Sequence, residues 1–295
     1  MSYRELYASP TIVFSGYQKT WKEANYAILG VPFDVTSTYR TGARFAPTAI
    51  REASLNIEGY SFRAGVDVEN LKLCDLGDLH VTGDASVTLK RLEQVTKEIL
   101  EAKKLPVLIG GEHTITLGSA RAAGKNIAIL DFDAHLDLRN EYMNLTVSHT
   151  TFMRRINEQA KPQKIIEVGT RAVCKEEYDY AKKADISFIP AQQVRRDGAE
   201  KTAKKTKELL KDAEKIYLTI DLDVLDPAFA PGVQNPEPDG LCTHHLYDIL
   251  SEACDERLVA FDVVENTPPY DNGVTAILAA KTIFEVLSYF EKARK

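Results

Sequence analysis

Acidic and imidazole side chains alternate just after an apolar stretch near the middle of the chain. The apolar run covers residues 126–130, and Asp133, His135 and Asp137 follow it at two-residue spacing. If the run is a buried strand and its extended geometry continues, these side chains project to the same side. Carboxylates and an imidazole this close suit a divalent cation, because the like charges otherwise repel one another. The segment predicts a metal site. The alternative is that these polar residues only end the strand, with the aspartates capping the next helix.

Two further strand ends carry residues of the same types. Asp221 and Asp223 repeat the two-residue spacing after the apolar run 215–220, and His113 follows a glycine-ended run at residues 106–110. In a parallel α/β fold the carboxyl ends of the strands share one edge, so distant ligands can meet there. A set of this size suits two cations that share bridging aspartates. Oxygen-rich coordination with one imidazole for each ion favours Mn²⁺ over a zinc site built from thiolates.

Other polar residues have weaker patterns around them. Asp131 has the parity of Asp133 but lies one pleat deeper, so we expect it to hydrogen-bond a ligand rather than to bind the ion. His80, His244 and His245 have no acidic companions at ligand spacing and are predicted to be loop or surface residues.

Strands alternate with helices along the whole chain, without repeats or a low-complexity linker. This alternation predicts a single parallel α/β domain over residues 1–295, either as an open sheet or as a closed barrel. A long amphipathic helix is expected at residues 86–103. The predicted strands lie at residues 26–33, 71–76, 106–110, 126–130, 164–168, 186–189, 215–223 and 258–264.

Composition excludes several classes of function. The formal charge of −6 and the even mixture of acidic and basic residues argue against a nucleic-acid or anionic-membrane partner. The four cysteines are far apart and form no CxxC pair, so free thiols in a reducing compartment are expected. No apolar stretch has the length of a signal peptide core or a membrane span, and we expect a cytoplasmic protein.

Three blocks, in this order, resemble the signature blocks of the ureohydrolase family, which includes arginase and agmatinase. They are GGEH at residues 110–113, DAHLD at residues 133–137 and DLDVLDP at residues 221–227. The segments 31–47 and 263–271 are similar to the agmatinase branch. The resemblance implies a three-layer α/β fold, with an open, mostly parallel eight-stranded sheet and helices on both faces. It also implies a homo-oligomer, usually a trimer or a hexamer.

The same resemblance implies two Mn²⁺ ions per subunit and a reaction. A metal-bridging hydroxide would attack the guanidinium carbon of a small-molecule substrate and release urea and an amine. Agmatine, which gives putrescine and urea in polyamine biosynthesis, is the expected substrate. One ion would be held by His113, Asp133, Asp137 and Asp221, and the other by Asp133, His135, Asp221 and Asp223.

Two further residues match catalytic positions of the family. His149 stands at the position of the proton shuttle, and an unperturbed imidazole pKa of about 6.5 suits that task. Its plainer alternative is to cap a helix. Glu265 matches the carboxylate that holds the guanidinium group by charge-assisted hydrogen bonds. A structural ion pair is the alternative for Glu265.

The substrate pocket departs from the family pattern. The segment 233–235 reads Val-Gln-Asn where relatives often carry Thr-Gly-Thr. From loop position we expect Glu141 to pair with the distal ammonium of agmatine, whereas Arg139 would instead attract a carboxylate. The alternatives are another guanidino or formimino hydrolase (for arginine, guanidinobutyrate or aminopropylagmatine), a zinc-dependent amidase or deacetylase of related fold, and a non-catalytic metal-binding protein.

Overall fold

Nine strands form one open sheet in the computed structural model, which describes residues 2–295. In chain order the strands are β1 (Ala8–Ser9), β2 (Tyr26–Val31), β3 (Tyr60–Ser61), β4 (Val66–Asp67), β5 (Leu73–Leu79), β6 (Leu105–Gly110), β7 (Ala128–Phe132), β8 (Lys164–Val168), β9 (Ser187–Ile189), β10 (Ile216–Asp221) and β11 (Leu258–Val264). Across the sheet the order is β1-β5-β2-β6-β11-β10-β7-β8-β9, and β3 pairs with β4 in a separate ribbon. Neighbouring strands of the large sheet are parallel except for β1 and β5.

Helices cover both faces of this sheet. The α-helices are α1 (Tyr3–Tyr7), α2 (Ala46–Ser54), α3 (Ala85–Glu101), α4 (Thr116–Ala123), α5 (Phe152–Arg155), α6 (Lys175–Lys183), α7 (Ala191–Leu209), α8 (Thr243–Ala253) and α9 (Val274–Ala293). Short 3-10 turns lie at Phe14–Gly16, Ala43–Phe45, Val68–Asn70, His113–Ile115, Leu222–Val224 and Pro268–Tyr270, and a π-helical turn lies at Ile156–Ala160. No helix within residues 2–295 is long and apolar enough to cross a membrane.

Alternation of side chains along the strands divides the core between the two faces. In β10, Leu218 and Ile220 pack into the cluster that contains residues of α2, α7, α8 and α9. Tyr217 points to the opposite face, into the cluster with residues of α3, α4, α5 and α6. The strands are buried on both sides because helices cover both sides, which is why they appear in the sequence as continuous apolar runs.

The open sheet confirms the predicted α/β class and excludes the closed barrel. Each predicted strand is present, with ends that differ by a few residues: the run predicted at 71–76 becomes Leu73–Leu79, and that at 126–130 becomes Ala128–Phe132. The additional strand β1 has two residues and pairs antiparallel at the sheet edge. Such a short strand has no periodicity, so the sequence pattern did not predict it.

The predicted metal ligands and Glu265 follow the ends of four adjacent central strands. β6, β11, β10 and β7 are neighbours in that order, and their carboxyl ends lie together. The turn after β6 passes so close to the segment after β2 that a side chain at Gly111 would lie 1.9 Å from the carbonyl oxygen of Phe33. Only glycine permits this approach, which leads the chain directly to His113.

Candidate active site

Two groups of side chains meet above the ends of β6, β7 and β10. In the first, Nδ1 of His113 lies 3.1 Å from Oδ2 of Asp133 and 3.2 Å from Oδ2 of Asp221. In the second, Nδ1 of His135 lies 3.3 Å from Oδ1 of Asp133 and 3.1 Å from Oδ2 of Asp223. The ligand atoms of each group lie within 4.8 Å of one another. Asp133 therefore presents one oxygen to each group, which is the geometry that a bridging carboxylate requires.

Asp137 and Asp221 each contact only one of the two groups, unlike Asp133. Asp137 joins the first group, with Oδ2 at 3.8 Å from Nδ1 of His113, and its backbone has a positive φ of 49°. Asp221 lies in the first group through Oδ2, whereas its Oδ1 accepts a hydrogen bond from the backbone N–H of Asp223 at 2.8 Å. The structure thus brings all six predicted ligands together, and Asp133 is the one whose two oxygens face both groups.

The hydrogen bonds behind His113 fix which of its nitrogens faces the aspartates. The hydroxyl of Thr219 donates to Asp262 at 2.5 Å, so its oxygen accepts from Nε2–H of His113 at 2.8 Å. In the neutral imidazole Nδ1 then carries a lone pair that points between two carboxylates. Asp262 also accepts from Thr116 and Tyr217, which holds it in place. An imidazole oriented in this way by a neighbouring acceptor is typical of a metal ligand.

The donor set fits divalent cations. Nδ1 of His113 and Oδ2 of Asp133 are buried atoms without an aligned hydrogen-bond partner within residues 2–295. Burial, followed by repulsion from Asp223 and Asp133, raises the pKa of the Asp221 carboxyl well above its usual range. Burial also raises the pKa of Asp137, with Asp133 adding to the effect. A cation at this point would satisfy the orphaned atoms and remove the repulsion.

Asp131 does not make the hydrogen bond that its parity predicts. Its Oδ1 lies 3.9 Å from Nε2 of His113, and neither carboxylate oxygen has a hydrogen-bond partner within the described chain. Thr219 and Asp262 support His113 instead. They occupy the interior of β10 and β11, where the sequence offered no pattern that marks them as polar support.

His149 is buried, with 3% of its surface exposed, between two loops. Nε2 lies 3.0 Å from the hydroxyl of Thr38, and Nδ1 lies 3.1 Å from the amide nitrogen of Gln234. The amide oxygen of Gln234 accepts from Ser37 at 2.6 Å, which keeps the amide nitrogen turned toward the imidazole. Because that nitrogen can only donate, Nδ1 is the acceptor and Nε2 carries the proton.

The environment of His149 differs from the sequence-based expectation in two ways. Burial, helped by the imidazoles of His135 and His113, lowers the pKa of His149 to about 3, whereas an unperturbed value near 6.5 was expected. The side chain is therefore neutral at pH 7. Its ring nitrogens contact Thr38 and Gln234 rather than a helix end, so the helix-cap alternative is wrong.

Glu265 directly follows β11 and is also buried. Its Oε1 accepts the backbone N–H of His113 at 2.7 Å, whereas Oε2 has no hydrogen-bond partner in residues 2–295. Burial raises the pKa of this carboxyl well above its usual range, although the hydrogen bond from His113 opposes the shift. No Lys or Arg of the described chain forms an ion pair with Glu265, which removes the alternative of a structural ion pair. Glu265 is one of the residues that line a cavity.

This cavity, of about 550 Å³, is lined by four of the six predicted metal ligands. Its volume lies within the range of about 300–1,000 Å³ that is usual for small-molecule sites. Glu141 is exposed and does not line it, so the predicted pairing of Glu141 with a distal ammonium has no geometric support; Glu237 lines it instead. The lining residues that bear on chemistry are His135, Asp137, His149, Asp221, Asp223, Glu237 and Glu265.

Two arginines at the cavity are already engaged. The guanidinium of Arg171 donates to the backbone carbonyls of Asp223, Leu225 and Glu237, among others, and so fastens the loop over residues 225–240 to the site. Arg139 lies 3.8 Å from the carboxylate of Glu177. Sequence reasoning missed Arg171, because its partners are carbonyl groups of loops whose path no periodicity predicts.

Comparison with known proteins gives consistent results. A sequence model described as "Arginase family" matches residues 24–288. The N(1)-aminopropylagmatine ureohydrolase of Thermococcus kodakarensis is 37% identical over 89% of this chain and 90% of its own length. The agmatinase of Bacillus subtilis is 34% identical over 99% of this chain and 100% of its own length. The crystal structure of the agmatine ureohydrolase of Thermoplasma volcanium is similar with a TM-score of 0.89 at 34% identity, over 98% of this chain and 97% of that chain.

Proposed function

Since this chain belongs to the arginase family and is a hydrolase of guanidino compounds, we propose that it cleaves agmatine to putrescine and urea with two bound Mn²⁺ ions. One observation carries the proposal: Glu265, a buried carboxylate with one unpartnered oxygen, lines a cavity together with His135, Asp137, Asp221 and Asp223. A guanidinium group complements such a carboxylate in charge and in hydrogen bonding.

The metal ions would be held by the side chains that converge at the strand ends. Four carboxylates and two imidazoles, without a thiolate, are a set that favours Mn²⁺ among the common divalent ions. When bound, the two ions would supply an activated water molecule, whose pKa falls from about 15.7 toward neutrality. His113, Asp133, Asp137 and Asp221 would hold one ion, and Asp133, His135, Asp221 and Asp223 the other.

Glu265 would orient the guanidinium group. Its Oε1 is tied to the backbone of His113, so the position of the free oxygen is fixed relative to a metal ligand. Hydrogen bonds from two guanidinium nitrogens would hold the planar group with its carbon toward the metal ligands. The positive φ of 69° at Glu265 directs the chain out of β11 into this position.

His149 would carry the proton that the leaving amine needs. The neutral imidazole has one unprotonated nitrogen and lines the cavity. Because burial lowers its pKa to about 3, an imidazolium formed there is a strong acid that gives its proton readily to an amine nitrogen. Burial therefore favours transfer of the proton from His149 to the amine and disfavours the protonated form of His149.

Glu237 would recognise the distal ammonium of agmatine. It is half-buried at the cavity, and no Lys or Arg among residues 2–295 forms an ion pair with it. Glu177 also lines the cavity, but its oxygens accept the backbone N–H groups of Leu138 and Cys174. An unpaired carboxylate at the mouth favours a cationic tail over the carboxylate tail of 4-guanidinobutyrate.

N(1)-Aminopropylagmatine is a second candidate substrate. The relative from Thermococcus kodakarensis that carries this name is 37% identical, and the open mouth of the cavity has room for a longer amine chain. This compound has the same guanidinium end and an additional cationic nitrogen, so Glu265 and Glu237 would contact it as they contact agmatine.

The test is steady-state kinetics with Mn²⁺ supplied, on agmatine, N(1)-aminopropylagmatine, arginine and 4-guanidinobutyrate. Urea and the amine product are both quantified. We expect kcat/KM for agmatine to exceed the values for arginine and 4-guanidinobutyrate by at least about tenfold, which corresponds to about 1.4 kcal/mol. Equal urea release from these three compounds contradicts the proposal. Formamide release from a formimino compound, or acetate release by a zinc-loaded sample, would instead support the other hydrolase classes.

A further inference from the structure

A second cluster of metal-ligating side chains lies at the start of α8. The thiol of Cys242 is 2.9 Å from Nδ1 of His245 and 3.4 Å from Nε2 of His244. The two imidazole rings have centroids 4.4 Å apart. The three ligand atoms lie within 4.8 Å of one another, as they do in the groups around His113 and His135. The prediction that both histidines are ordinary surface residues rested on the lack of acidic companions, whereas their companion is a thiol.

These three side chains have no other polar role in the described chain. Within residues 2–295 their side-chain hydrogen bonds run only among themselves. None of the three lines the catalytic cavity. Cys242 and His245 are half-buried and His244 is exposed, so an ion can reach the cluster from solvent. Nearby charges are already paired, since Arg195 contacts Asp239 at 2.5 Å and Asp248 contacts Arg63 at 3.1 Å.

The separations are close to those around a tetrahedral ion. With Zn–S of about 2.3 Å and Zn–N of about 2.0–2.1 Å, tetrahedral coordination places sulfur and nitrogen about 3.6 Å apart. The 3.4 Å between Cys242 and His244 already agrees with this value. The 2.9 Å between Cys242 and His245 would need to widen, which a small rotation of these half-exposed side chains allows. The exposed side of His244 leaves a fourth position for water.

The chemical types of these three side chains indicate which ion they would bind. Cys242 is the N-cap residue of α8, an 11-residue helix, and His244 and His245 lie in the first turn of that helix. One thiolate and two imidazoles are a set that suits Zn²⁺ and differs from the oxygen-rich catalytic set.

We propose that Cys242, His244 and His245 form a third metal site of this chain, which binds Zn²⁺ in tetrahedral coordination with one water. The site is joined to the catalytic region by the backbone. Leu241, next to Cys242, donates its N–H to Val224 at 3.0 Å and accepts from the N–H of Asp226 at 2.9 Å. A bound ion would therefore fix the start of α8 against the segment that follows Asp223.

The test uses untagged protein loaded with Co²⁺ as a spectroscopic substitute for zinc. A sulfur ligand gives a thiolate-to-cobalt charge-transfer band in the near ultraviolet, and none of the six proposed catalytic ligands contains sulfur. We expect this band at one equivalent per chain, its loss in Cys242→Ser, and its bleaching when Zn²⁺ is added. His245→Ala should weaken cobalt binding by about tenfold or more, in the range seen when a ligand's environment is disrupted.

Cys174→Ser is the matched control. Cys174 is also a half-buried thiol, but it belongs to none of the three ligand groups found among residues 2–295, so the band should persist in this variant. Urea release by Mn²⁺-loaded Cys242→Ser should equal that of the unchanged protein, which shows that the fold is intact. Absence of the band, its survival in Cys242→Ser, or failure of Zn²⁺ to bleach it would overturn the proposal.

Discussion

The floor and the wall of the cavity are positioned by different kinds of interaction. The floor residues leave the ends of adjacent parallel strands, where backbone pairing continues as far as Asp221 with Val264 and Ile220 with Phe132. The wall residues lie on loops and are held by side-chain hydrogen bonds such as that from Ser37 to Gln234. The floor comprises His135, Asp137, Asp221, Asp223 and Glu265, which line the cavity, together with His113 and Asp133, which contact them but do not line it. The wall comprises Thr38, His149, Asn235 and Glu237, which line the cavity, together with Gln234, which hydrogen-bonds His149.

This difference separates two kinds of effect on the reaction. The sheet defines where the floor side chains start, so substitution of one of them should remove a proposed metal ligand, or at Glu265 the proposed guanidinium contact, without moving its neighbours. The wall residues are not among the proposed metal ligands, so their substitution should adjust protonation or substrate choice while the metal site persists. Metal content and kinetic constants, measured together on the same variants, distinguish the two regions.

Asp133→Asn should have the largest effect. Asp133 is the floor residue whose two oxygens face both groups, so an amide in its place weakens both metal positions. We expect loss of bound Mn²⁺ and a fall in kcat/KM of more than about 100-fold, since even a disrupted partner of a ligand costs about 10–100-fold. Metal analysis and urea assays check this result. Asp131→Asn is the control and should keep its metal; full occupancy in Asp133→Asn would contradict the bridging role.

His149→Asn should have the next largest effect, and on turnover alone. It removes the proposed proton carrier but none of the proposed ligands, so Mn²⁺ content should be unchanged. We expect kcat to fall by about 10²–10⁴-fold, the usual contribution of general acid–base catalysis. Added imidazole should restore part of the activity if the missing group is a proton carrier. Unchanged turnover in the metal-loaded variant would exclude this role.

The contrast also explains how much of the molecule the sequence predicts. The floor is predictable because each apolar run ends in its ligand, and parallel strands bring such ends to one edge, as at β7 and β10. The environment of His149 cannot be predicted from the sequence, because the loops that carry Thr38 and Gln234 have no periodic pattern. The pKa near 3 follows from that enclosure. Homo-oligomeric assembly and cytoplasmic location stay predictions, because one chain displays neither.

The sequence also did not predict the buried polar residues that orient His113, for a related reason. Asp262 and Thr219 lie inside strands, between apolar neighbours, and their role depends on pairing between β10 and β11. Register places them opposite each other, and register cannot be read from either strand alone. Asp131 was predicted to hydrogen-bond a ligand because it shares the parity of Asp133, yet its Oδ1 lies 3.9 Å from Nε2 of His113.

Glu237→Gln should change substrate preference at the wall. Removal of the carboxylate takes away the partner of the distal ammonium, so kcat/KM for agmatine should fall by about tenfold, mostly through KM. The constants for 4-guanidinobutyrate should stay the same or improve, since its tail is an anion. Glu141→Gln is the matched control, because Glu141 is exposed and does not line the cavity. A larger loss in Glu141→Gln than in Glu237→Gln would reverse the assignment.

Gln234→Gly should have the smallest effect at neutral pH and a clear one in acid. The amide of Gln234 donates to the unprotonated Nδ1 of His149 and so favours the neutral imidazole. Its removal, which also admits water, should raise the pKa of His149 above about 3. At pH 7 the side chain is still neutral, so kcat should change by less than about fivefold, which corresponds to about 1 kcal/mol.

The acidic side of the pH–rate profile of Gln234→Gly should show the change in the pKa of His149. Below the pKa, His149 is protonated and cannot accept a proton, so a higher pKa moves this side of the profile of kcat to higher pH. Ser37→Ala should move it less, because the amide stays in place but loses the hydroxyl that orients it. A shift to lower pH in Gln234→Gly would mean that the amide stabilises the imidazolium, and that the wall acts on His149 in the opposite sense.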